Sequence, residues 1–265
     1  MTITILDGGM GQELLTRSAA QPTGLWSAQI LLDDPDLVRA VHADYLDAGA
    51  DVITTNSYVL HRDRLAPFGV EDRFEELHSL ACRLAVEARD AHGTGLVAGS
   101  LGPNARSYRP DLALPEDQAV EAFAEIARLQ VPYVDLLLCE TMSSIEQARG
   151  AVLGALTVGL PVWLAVTVDD DDGTRLRSGQ DISRVVELCN AMSLDTILVN
   201  CSIPEAVDMA VGALSGYGLR VGAYANGFTR INESFLEPGA TVDVLQKRDN
   251  LGPEAYAGFA ADWVT

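Results

Sequence analysis

The side chains in this sequence that could bind or activate a small molecule stand where apolar runs end. Cys201 directly follows the run "DTILVN", and Pro204 is placed to open a helix just after it. Glu140 closes the run "DLLLC", and a carboxylate at the end of a buried strand is costly unless it is paired or binds a cation. A structural ion pair and a bound substrate ammonium group are both open interpretations of Glu140.

Cys201 has two competing interpretations. Strand cysteines are most often small buried side chains. The N-terminus of the helix expected just after Cys201 would instead lower the pKa of its thiol and favour a thiolate, although one thiolate is not a metal site. Cys139 should point away from Glu140 by strand alternation and pack in the core, and Cys82 and Cys189 should pack on helical faces.

Composition excludes several classes of function. The formal net charge of -20 argues against nucleic acid and anionic membrane surfaces as partners. Lys247 is the only lysine and lies in a polar stretch, so a Schiff-base mechanism is disfavoured. The four histidines form no HExxH motif. The unpaired cysteine spacing, the absence of a long apolar run and the start of the chain together predict a cytoplasmic protein.

Seven apolar runs recur along the chain, and a helical pattern follows each of them. Continuous Val, Ile and Leu content without polar alternation is typical of strands buried on both faces of a parallel sheet. Alternating strands and helices predict an α/β fold. The runs predicted as strands are 3–9, 50–58, 95–103, 134–141, 161–168, 195–202 and 219–227.

One domain over residues 1–265 is expected, either a (β/α)8 barrel that lacks its eighth strand–helix unit or an open doubly wound sheet. Polar residues at the end of nearly every predicted strand favour the barrel, because barrel enzymes build their sites from the C-terminal ends of several strands. An open sheet concentrates its site at one switch point. The polar strand-end residues are Asp7, Asn56, Ser100, Glu140, Asn200, Cys201 and Asn226.

Two further motifs resemble ligand sites only superficially. The stretch "DGGMGQEL" at 7–14 contains G-x-G but has leucine where the dinucleotide fingerprint needs its third glycine. A tight turn, or close approach of the backbone to a small ligand, explains these glycines better. The acidic stretch at 168–176 lacks the end residues of a calcium loop and is expected to be a solvated loop.

Several stretches together resemble the homocysteine S-methyltransferases, a family of zinc-dependent (β/α)8 barrels. The similarity spans most of the chain in family order. It lies in "LDGGMGQELL" (6–15), "GLWSAQILLDDPDLVRAVHADYLDAGADVITTNSY" (24–58), "GSLGP" (99–103), "DLLLCETMSSIEQA" (135–148) and "VNCSIPE" (199–205). The resemblance implies transfer of a methyl group from a sulfonium or ammonium donor to the zinc-activated thiol of homocysteine, which gives methionine.

The resemblance also implies roles for individual residues. Cys201 matches the first zinc cysteine of the family. Glu140 matches the carboxylate that holds the homocysteine amino group. Asp7 and Gly9 match the first-strand loop at the substrate pocket, and Asn56 matches a polar group of the second strand. The asparagine of the seventh strand corresponds to Asn226, although this sequence has alanine where the family usually has proline before it.

This sequence departs from the family at its zinc site. The family's other two zinc cysteines are adjacent, in a "GGCC" motif that ends the eighth strand, and no adjacent cysteine pair occurs here. The expectation is a barrel without its eighth unit and a zinc site for which Cys201 is one ligand of three. The chain is then either a methyltransferase that lacks a C-terminal piece or a zinc-free relative that binds an amino acid or thiol.

Other points stay open at the level of sequence. A different barrel enzyme with carboxylate chemistry at Asp7 and Glu140 is a weaker third interpretation. The methyl donor, whether S-methylmethionine, S-adenosylmethionine or betaine, has no recognisable pocket in the sequence. Self-association of the chain is possible, but no motif indicates it.

Overall fold

The computed structural model describes residues 3–18, 23–104, 106–237 and 239–264, and its centre is a parallel six-stranded sheet. The strands stand in the sheet in chain order, which is the order of a barrel, whereas a doubly wound sheet reverses its order at a switch point. They are β1 (Val52–Thr54), β2 (Leu96–Leu101), β3 (Leu136–Met142), β4 (Val162–Val166), β5 (Thr196–Asn200) and β6 (Arg220–Tyr224).

Helices connect the strands and cover the outside of the sheet. In chain order they are α1 (Met10–Arg17), α2 (Ser27–Asp33), α3 (Pro35–Asp47), α4 (Arg62–Leu65), α5 (Phe74–His92), α6 (Glu116–Gln130), α7 (Ile145–Leu156), α8 (Ser183–Ala191), α9 (Pro204–Leu214), α10 (Glu233–Leu236) and α11 (Pro253–Trp263). Short 3₁₀ turns lie at Ala66–Phe68, Glu71–Arg73, Pro110–Leu112 and Val242–Val244.

Helix ends follow the capping residues in the sequence. The Asp34 side chain accepts a hydrogen bond from the Leu37 N–H at the start of α3, and Pro35 occupies the first helical position. Gly93 ends α5 with a φ of 91°, a left-handed conformation that glycine adopts without strain. Both helix ends therefore lie where a local capping signal stands in the sequence.

The first predicted strand, at 3–9, is the one that the structure corrects. It forms a single parallel bridge, between Leu6 and Val52, and no regular strand. The Ile5 N–H donates to the Asp51 carboxylate at 2.8 Å, so a side chain takes the place of a backbone partner. Backbone pairing with β1 stops at the Asp7 N–H, because the Thr54 N–H donates to the Asp7 carboxylate instead of to a carbonyl, and Gly9 is already the N-cap residue of α1.

The sheet curls so that its two ends approach each other. Arg220 at the start of β6 donates to the Thr4 hydroxyl at 3.3 Å, across the space between the last strand and the first segment. The inward face carries an apolar cluster that is separate from the larger core between sheet and helices. The inward cluster comprises Val52, Ala98, Leu136, Leu138, Trp163, Ala165 and Leu198, with Leu6 and Tyr224 packed against it.

The architecture is therefore an α/β fold with the strand order and inward packing of a partial barrel. That outcome favours the barrel over the doubly wound alternative. The absence of an eighth strand–helix unit stays a prediction, as does the single domain over 1–265. Over the described ranges, every helix is too short or too polar to cross a membrane.

Candidate functional site

Strand alternation brings the predicted polar residues to one end of the barrel interior. Ala98, Leu138 and Leu198 belong to the inward cluster, so the next inward positions on β2, β3 and β5 are two residues further on. Those positions hold Ser100, Glu140 and Asn200, which are all buried. A polar layer thus lies directly above the apolar filling, at the C-terminal ends of the strands.

Glu140 is held by two hydroxyl groups from other strands. Its Oε1 accepts a short hydrogen bond from the Ser100 hydroxyl, and its Oε2 accepts one from the Tyr224 hydroxyl at 3.0 Å. Burial raises the pKa of Glu140, and both hydroxyls act against that rise. No cation pairs with this carboxylate among the described residues, so the structural ion pair considered for Glu140 is not formed.

Thr141 and Cys201, which both contact the Asn200 side chain, have left-handed backbone conformations. Their φ angles are 62° and 53°, which are unusual for residues with a Cβ and especially for the β-branched threonine. The pairing of β3 with β4 shifts register between Cys139 and Met142, the segment that contains Thr141. Strained backbone and bulges of this kind are concentrated at functional sites.

The Asn200 amide holds this pair of residues together. Its Oδ1 accepts from the Thr141 N–H at 3.1 Å, and its Nδ2 donates to the Thr141 hydroxyl at 2.9 Å and to the Cys201 Sγ at 3.3 Å. The Thr141 hydroxyl in turn donates to the same Sγ at 3.4 Å. The sulfur therefore sits in a fixed place, with hydrogen-bond donors directed at it.

The pKa of the Cys201 thiol differs from the sequence-based expectation. Helix α9 does begin at Pro204, as predicted. Burial nevertheless raises the pKa of Cys201 to about 11, and the nearby Glu140 carboxylate raises it further than burial alone would. The expected lowering by the helix N-terminus was wrong because desolvation and a like charge outweigh it. Cys201 is a partly exposed thiol in this structure.

Asp7 lies close enough to Glu140 for their charges to interact. The Asp7 carboxylate accepts from the Thr54 N–H at 2.7 Å and from the Thr54 hydroxyl at 3.0 Å. Burial raises the pKa of Asp7 to about 7, with a smaller contribution from Glu140. Two carboxyl groups thus share one end of the barrel.

The other predicted residues surround this centre less closely. Gly9 caps α1, and a Cβ at this position would meet no atom within 4 Å, so the space beside it is open. Asn56 is buried and donates to the Ser27 carbonyl at 3.2 Å, a bond to α2 rather than to the centre. The Asn226 N–H donates to the Ser202 carbonyl at 3.0 Å, while its Nδ2 is buried without a partner.

Three tyrosines that the sequence reasoning missed stand around Cys201. Tyr108, at a φ of 63°, hydrogen-bonds to the Cys201 sulfur. Burial raises the pKa of Tyr58, Tyr108 and Tyr224, and the Cys201 charge contributes in each case. Strand alternation could have revealed Tyr224, two residues before Asn226, and Tyr58 ends the run predicted as a strand at 50–58, whereas Tyr108 lies on a loop that no pattern placed.

The acidic stretch at 168–176 also differs from its description as a solvated loop. Asp170 is almost fully buried and forms a bidentate ion pair with Arg177, with N–O distances of 2.8 and 2.9 Å. The Arg177 guanidinium lies 5.2 Å from the centre of the Tyr108 ring and lowers the pKa of Cys201 slightly. This loop therefore helps to build the wall of the site.

The cysteines do not assemble the zinc site that the family resemblance implies. Cys82, Cys139 and Cys189 are buried in the core between sheet and helices, which confirms their predicted packing role. Across the described ranges, no three His, Cys, Asp or Glu side chains are grouped as a metal site requires. These residues do not fit a three-thiolate zinc site, and no step proposed below passes through zinc.

Comparison with known proteins decides the family. The sequence model of the homocysteine S-methyltransferases matches residues 4–265. The chain belongs to this family. It is 32% identical to homocysteine S-methyltransferase of Escherichia coli over 81% of this chain and 74% of that protein, and 30% identical to homocysteine S-methyltransferase 1 of Brassica oleracea var. italica over 80% and 72%.

A solved structure of the family shares the fold. The metallated form of the homocysteine methyltransferase MmuM from Escherichia coli superposes with a TM-score of 0.71 at 28% identity, covering 85% of this chain and 92% of that chain. Its oxidized form gives a TM-score of 0.74 at 26% identity. Membership confirms the resemblance seen in the sequence and places the chain among enzymes of the methyltransferase class. It does not favour the alternative of a catalytically silent relative.

Proposed function

We propose that this chain transfers a methyl group from a small sulfonium or ammonium donor to the thiol of homocysteine, which gives methionine. The observation that carries the proposal is the family match over residues 4–265, because it includes every strand end of the polar layer. S-methylmethionine, S-adenosylmethionine and betaine are the donors to be distinguished.

Glu140 and Asp7 are proposed to bind the homocysteine ammonium group. Both carboxyl groups are desolvated and lack a cationic partner among the described residues, and the Glu140 charge further raises the pKa of Asp7. A bound ammonium would offset both effects, because a desolvated carboxylate is stabilised by an opposite charge within hydrogen-bond distance. The hydroxyls of Ser100 and Tyr224 already fix the carboxylate of Glu140 in place.

Gly9, Asn56 and Asn226 are proposed to shape the pocket around the substrate. The open space beside Gly9 lets a ligand approach the backbone at the start of α1. The unpaired Nδ2 of Asn226 is a buried donor without an acceptor, and a substrate oxygen would satisfy it. Asn56 is proposed to act through α2, since its amide holds the Ser27 carbonyl.

The transfer itself is a displacement at carbon. The homocysteine thiol loses its proton to solvent, and the resulting thiolate forms the new bond to the methyl carbon while the donor's carbon–sulfur or carbon–nitrogen bond breaks. The bonding pair stays on the donor atom, which loses its positive charge. Tyr58, Tyr108 and Tyr224 lie near the sulfur of Cys201 and are proposed to line the space in which this step takes place.

Zinc binding is a separate part of the proposal, and the described residues supply only one ligand for it. Cys201 is the proposed ligand, on its position at the end of β5 and on the family resemblance. Metal analysis of the purified chain tests this part. Because one thiolate does not hold zinc tightly by itself, the expected result is less than one zinc per chain, weakly bound, lost in Cys201→Ser and kept in Cys189→Ser. Zinc that stays bound in Cys201→Ser would contradict it.

A methyl-transfer assay with homocysteine and the three donors tests the reaction. Cys201→Ala and Glu140→Gln are expected to lose activity by at least about 100-fold, as typically follows removal of a group at the reacting centre. Cys189→Ala, a buried cysteine of α8 outside the site, is the matched control. Full activity in Cys201→Ala would remove this residue from the reaction, and no methionine from any donor with the unmodified chain would refute the function.

The remaining expectations from the sequence are proposals as well. They are a cytoplasmic location, a role in methionine biosynthesis, the absence of nucleic-acid and membrane partners, and self-association. Light scattering on the purified chain measures its mass in solution, and a mass of 28.3 kDa would contradict self-association.

A further inference from the structure

A closed ring of hydrogen bonds holds the backbone of Ser100, the residue whose hydroxyl donates to Glu140. The Ser100 N–H donates to the Thr55 hydroxyl at 3.0 Å, and the Ser57 hydroxyl donates to the Ser100 carbonyl at 2.9 Å. The two hydroxyls lie 2.8 Å apart. Because the Ser57 proton goes to the carbonyl, Thr55 must donate to Ser57, and the donor directions around the ring are then fixed.

A helical side chain supports the ring from outside the sheet. Gln130, the last residue of α6, is fully buried, and its Nε2 lies 3.1 Å from both the Ser100 carbonyl and the Ser57 hydroxyl. The same nitrogen lies 3.2 Å from the His78 Nδ1. His78 Nε2 is 2.9 Å from the Leu60 carbonyl and donates to it, so Nδ1 is the acceptor and the ring is neutral.

Gly99 allows Gln130 to come this close. A Cβ at Gly99 would lie 2.2 Å from the Gln130 Oε1, far inside contact distance. The "GS" of the "GSLGP" stretch thus has two linked consequences. Gly99 leaves space for the Gln130 side chain. The backbone of Ser100, the next residue, is hydrogen-bonded by Gln130, Thr55 and Ser57.

Ser100, whose backbone is held in this way, is the residue whose hydroxyl donates to Glu140. With the Ser100 N–H and carbonyl both bonded, the serine has little freedom to move its side chain away from the carboxylate. We propose that Thr55 and Gln130 are positioning residues, which hold Ser100 and through it orient the Glu140 carboxylate for an amino-acid ammonium group. This inference rests on the proposed function, in which Glu140 binds the amino group of homocysteine.

Thr55→Val tests the inference, since valine keeps the shape of threonine and removes the hydroxyl that closes the ring. An orienting role predicts a higher KM for homocysteine, by about 10-fold for one lost hydrogen bond to a binding group, with kcat changed less than 3-fold. Thr55→Ser restores the hydroxyl and should restore KM. Gln130→Met removes the supporting donor at similar volume and should raise KM in the same direction.

Thr196→Val is the matched control for a purely structural effect. Thr196 is also a buried threonine of the sheet, but it lies at the opposite end of the barrel, at the start of β5. Both valine variants should lower the melting temperature to a similar degree, and only Thr55→Val should raise KM. An unchanged KM in both Thr55→Val and Gln130→Met would overturn the inference, as would an equal KM rise in Thr196→Val.

Calorimetric binding of homocysteine separates failure of the inference from failure of the function. If the unmodified chain binds homocysteine and the Thr55→Val chain binds it as tightly, the positioning role is wrong while the function stands. If the unmodified chain neither binds nor methylates homocysteine, the proposed function fails and the positioning role falls with it.

Discussion

The middle of the sheet and its last strand differ sharply in burial. Every residue of β3 is buried, whereas β6 is exposed at Arg220 and only partly buried over its other four residues. The centre of the candidate site is built where the sheet is most enclosed, from Glu140, Thr141 and Asn200. Strained backbone at Thr141 and Cys201 is tolerated there because dense packing and hydrogen bonds surround it. The positions of the side chains in the candidate site therefore depend mainly on the enclosed strands, while β6 contributes one hydroxyl, from Tyr224.

The largest expected difference between the two regions is a cavity effect. Leu138→Ala on β3 removes a fully enclosed inward side chain and should lower the free energy of unfolding by about 2–5 kcal/mol. Val221→Ala on β6, where the side chain is partly exposed, should cost about 1 kcal/mol or less. Urea unfolding of both variants measures the difference. Equal losses of stability would show that β3 and β6 do not differ in how firmly they are packed.

Removal of a buried amide should have the next largest effect. Asn200→Leu leaves the buried Thr141 N–H without its acceptor, which should cost about 1–3 kcal/mol in the free energy of unfolding. The matched change Asn226→Leu removes an acceptor for the Phe228 N–H, and its donor already lacks a partner, so a smaller loss is expected. A larger loss in Asn226→Leu, measured by urea unfolding, would contradict this ranking.

A single hydroxyl on the β6 side should matter less. The Tyr256 hydroxyl of α11 accepts from the Ala225 N–H at 2.9 Å and lies 3.3 Å from the carbonyl of the same residue. Tyr256→Phe should therefore lower the free energy of unfolding by about 1 kcal/mol. Thermal unfolding followed by circular dichroism tests this, and a loss as large as that of Leu138→Ala would show that β6 is held as firmly as β3.

The last prediction concerns how stability changes with pH rather than the loss of a single contact. The pKa of Asp7 is about 7 in the folded chain against an ordinary 3.8, so the folded state keeps a proton that the unfolded chain releases. Asp7 therefore lowers stability progressively as pH rises from about 4 to about 7. Asp7→Asn removes this contribution.

Urea midpoints at pH 4.5 and pH 7.5 measure that contribution. The Asp7→Asn chain should gain stability relative to the unmodified chain at the higher pH, and Asp51→Asn serves as the control at the neighbouring strand start. A difference between the two chains that does not change with pH would show that Asp7 titrates normally.

The sequence was sufficient to predict the framework and the place of several polar residues at the C-terminal ends of the strands. The capping residues Asp34 and Gly93 act locally, so the ends of α3 and α5 follow from short stretches of chain. Because side chains alternate along a strand, Cys139 faces the helices and Glu140 faces the barrel interior, as expected. Glu140 and Cys201 were recognised because polar residues at the ends of apolar runs are uncommon and because the family pattern contains them. The run at 3–9 was wrongly predicted as a strand, since no local signal shows that Asp51 takes the Ile5 N–H.

Features that depend on several distant segments could not be read from the sequence. Tyr108 and Arg177 reach the Cys201 region from loops whose paths have no periodic pattern. The ring around Ser100 joins residues from β2, the segment after β1 and α6, which are 30 to 73 positions apart in the chain. The raised pKa of Cys201 arises from burial and from Glu140, two effects that exist only once the chain is folded.

The sequence by itself determined the order of strands and helices, the faces they bury and the family to which the chain belongs, because these depend on local periodicity, capping and motif order. Tertiary structure decided which polar groups meet and with what charge. Hydrogen bonds and desolvation act over a few ångströms between residues far apart in the chain. Only the curled sheet brings Asp7, Glu140 and Cys201 to one end of the barrel.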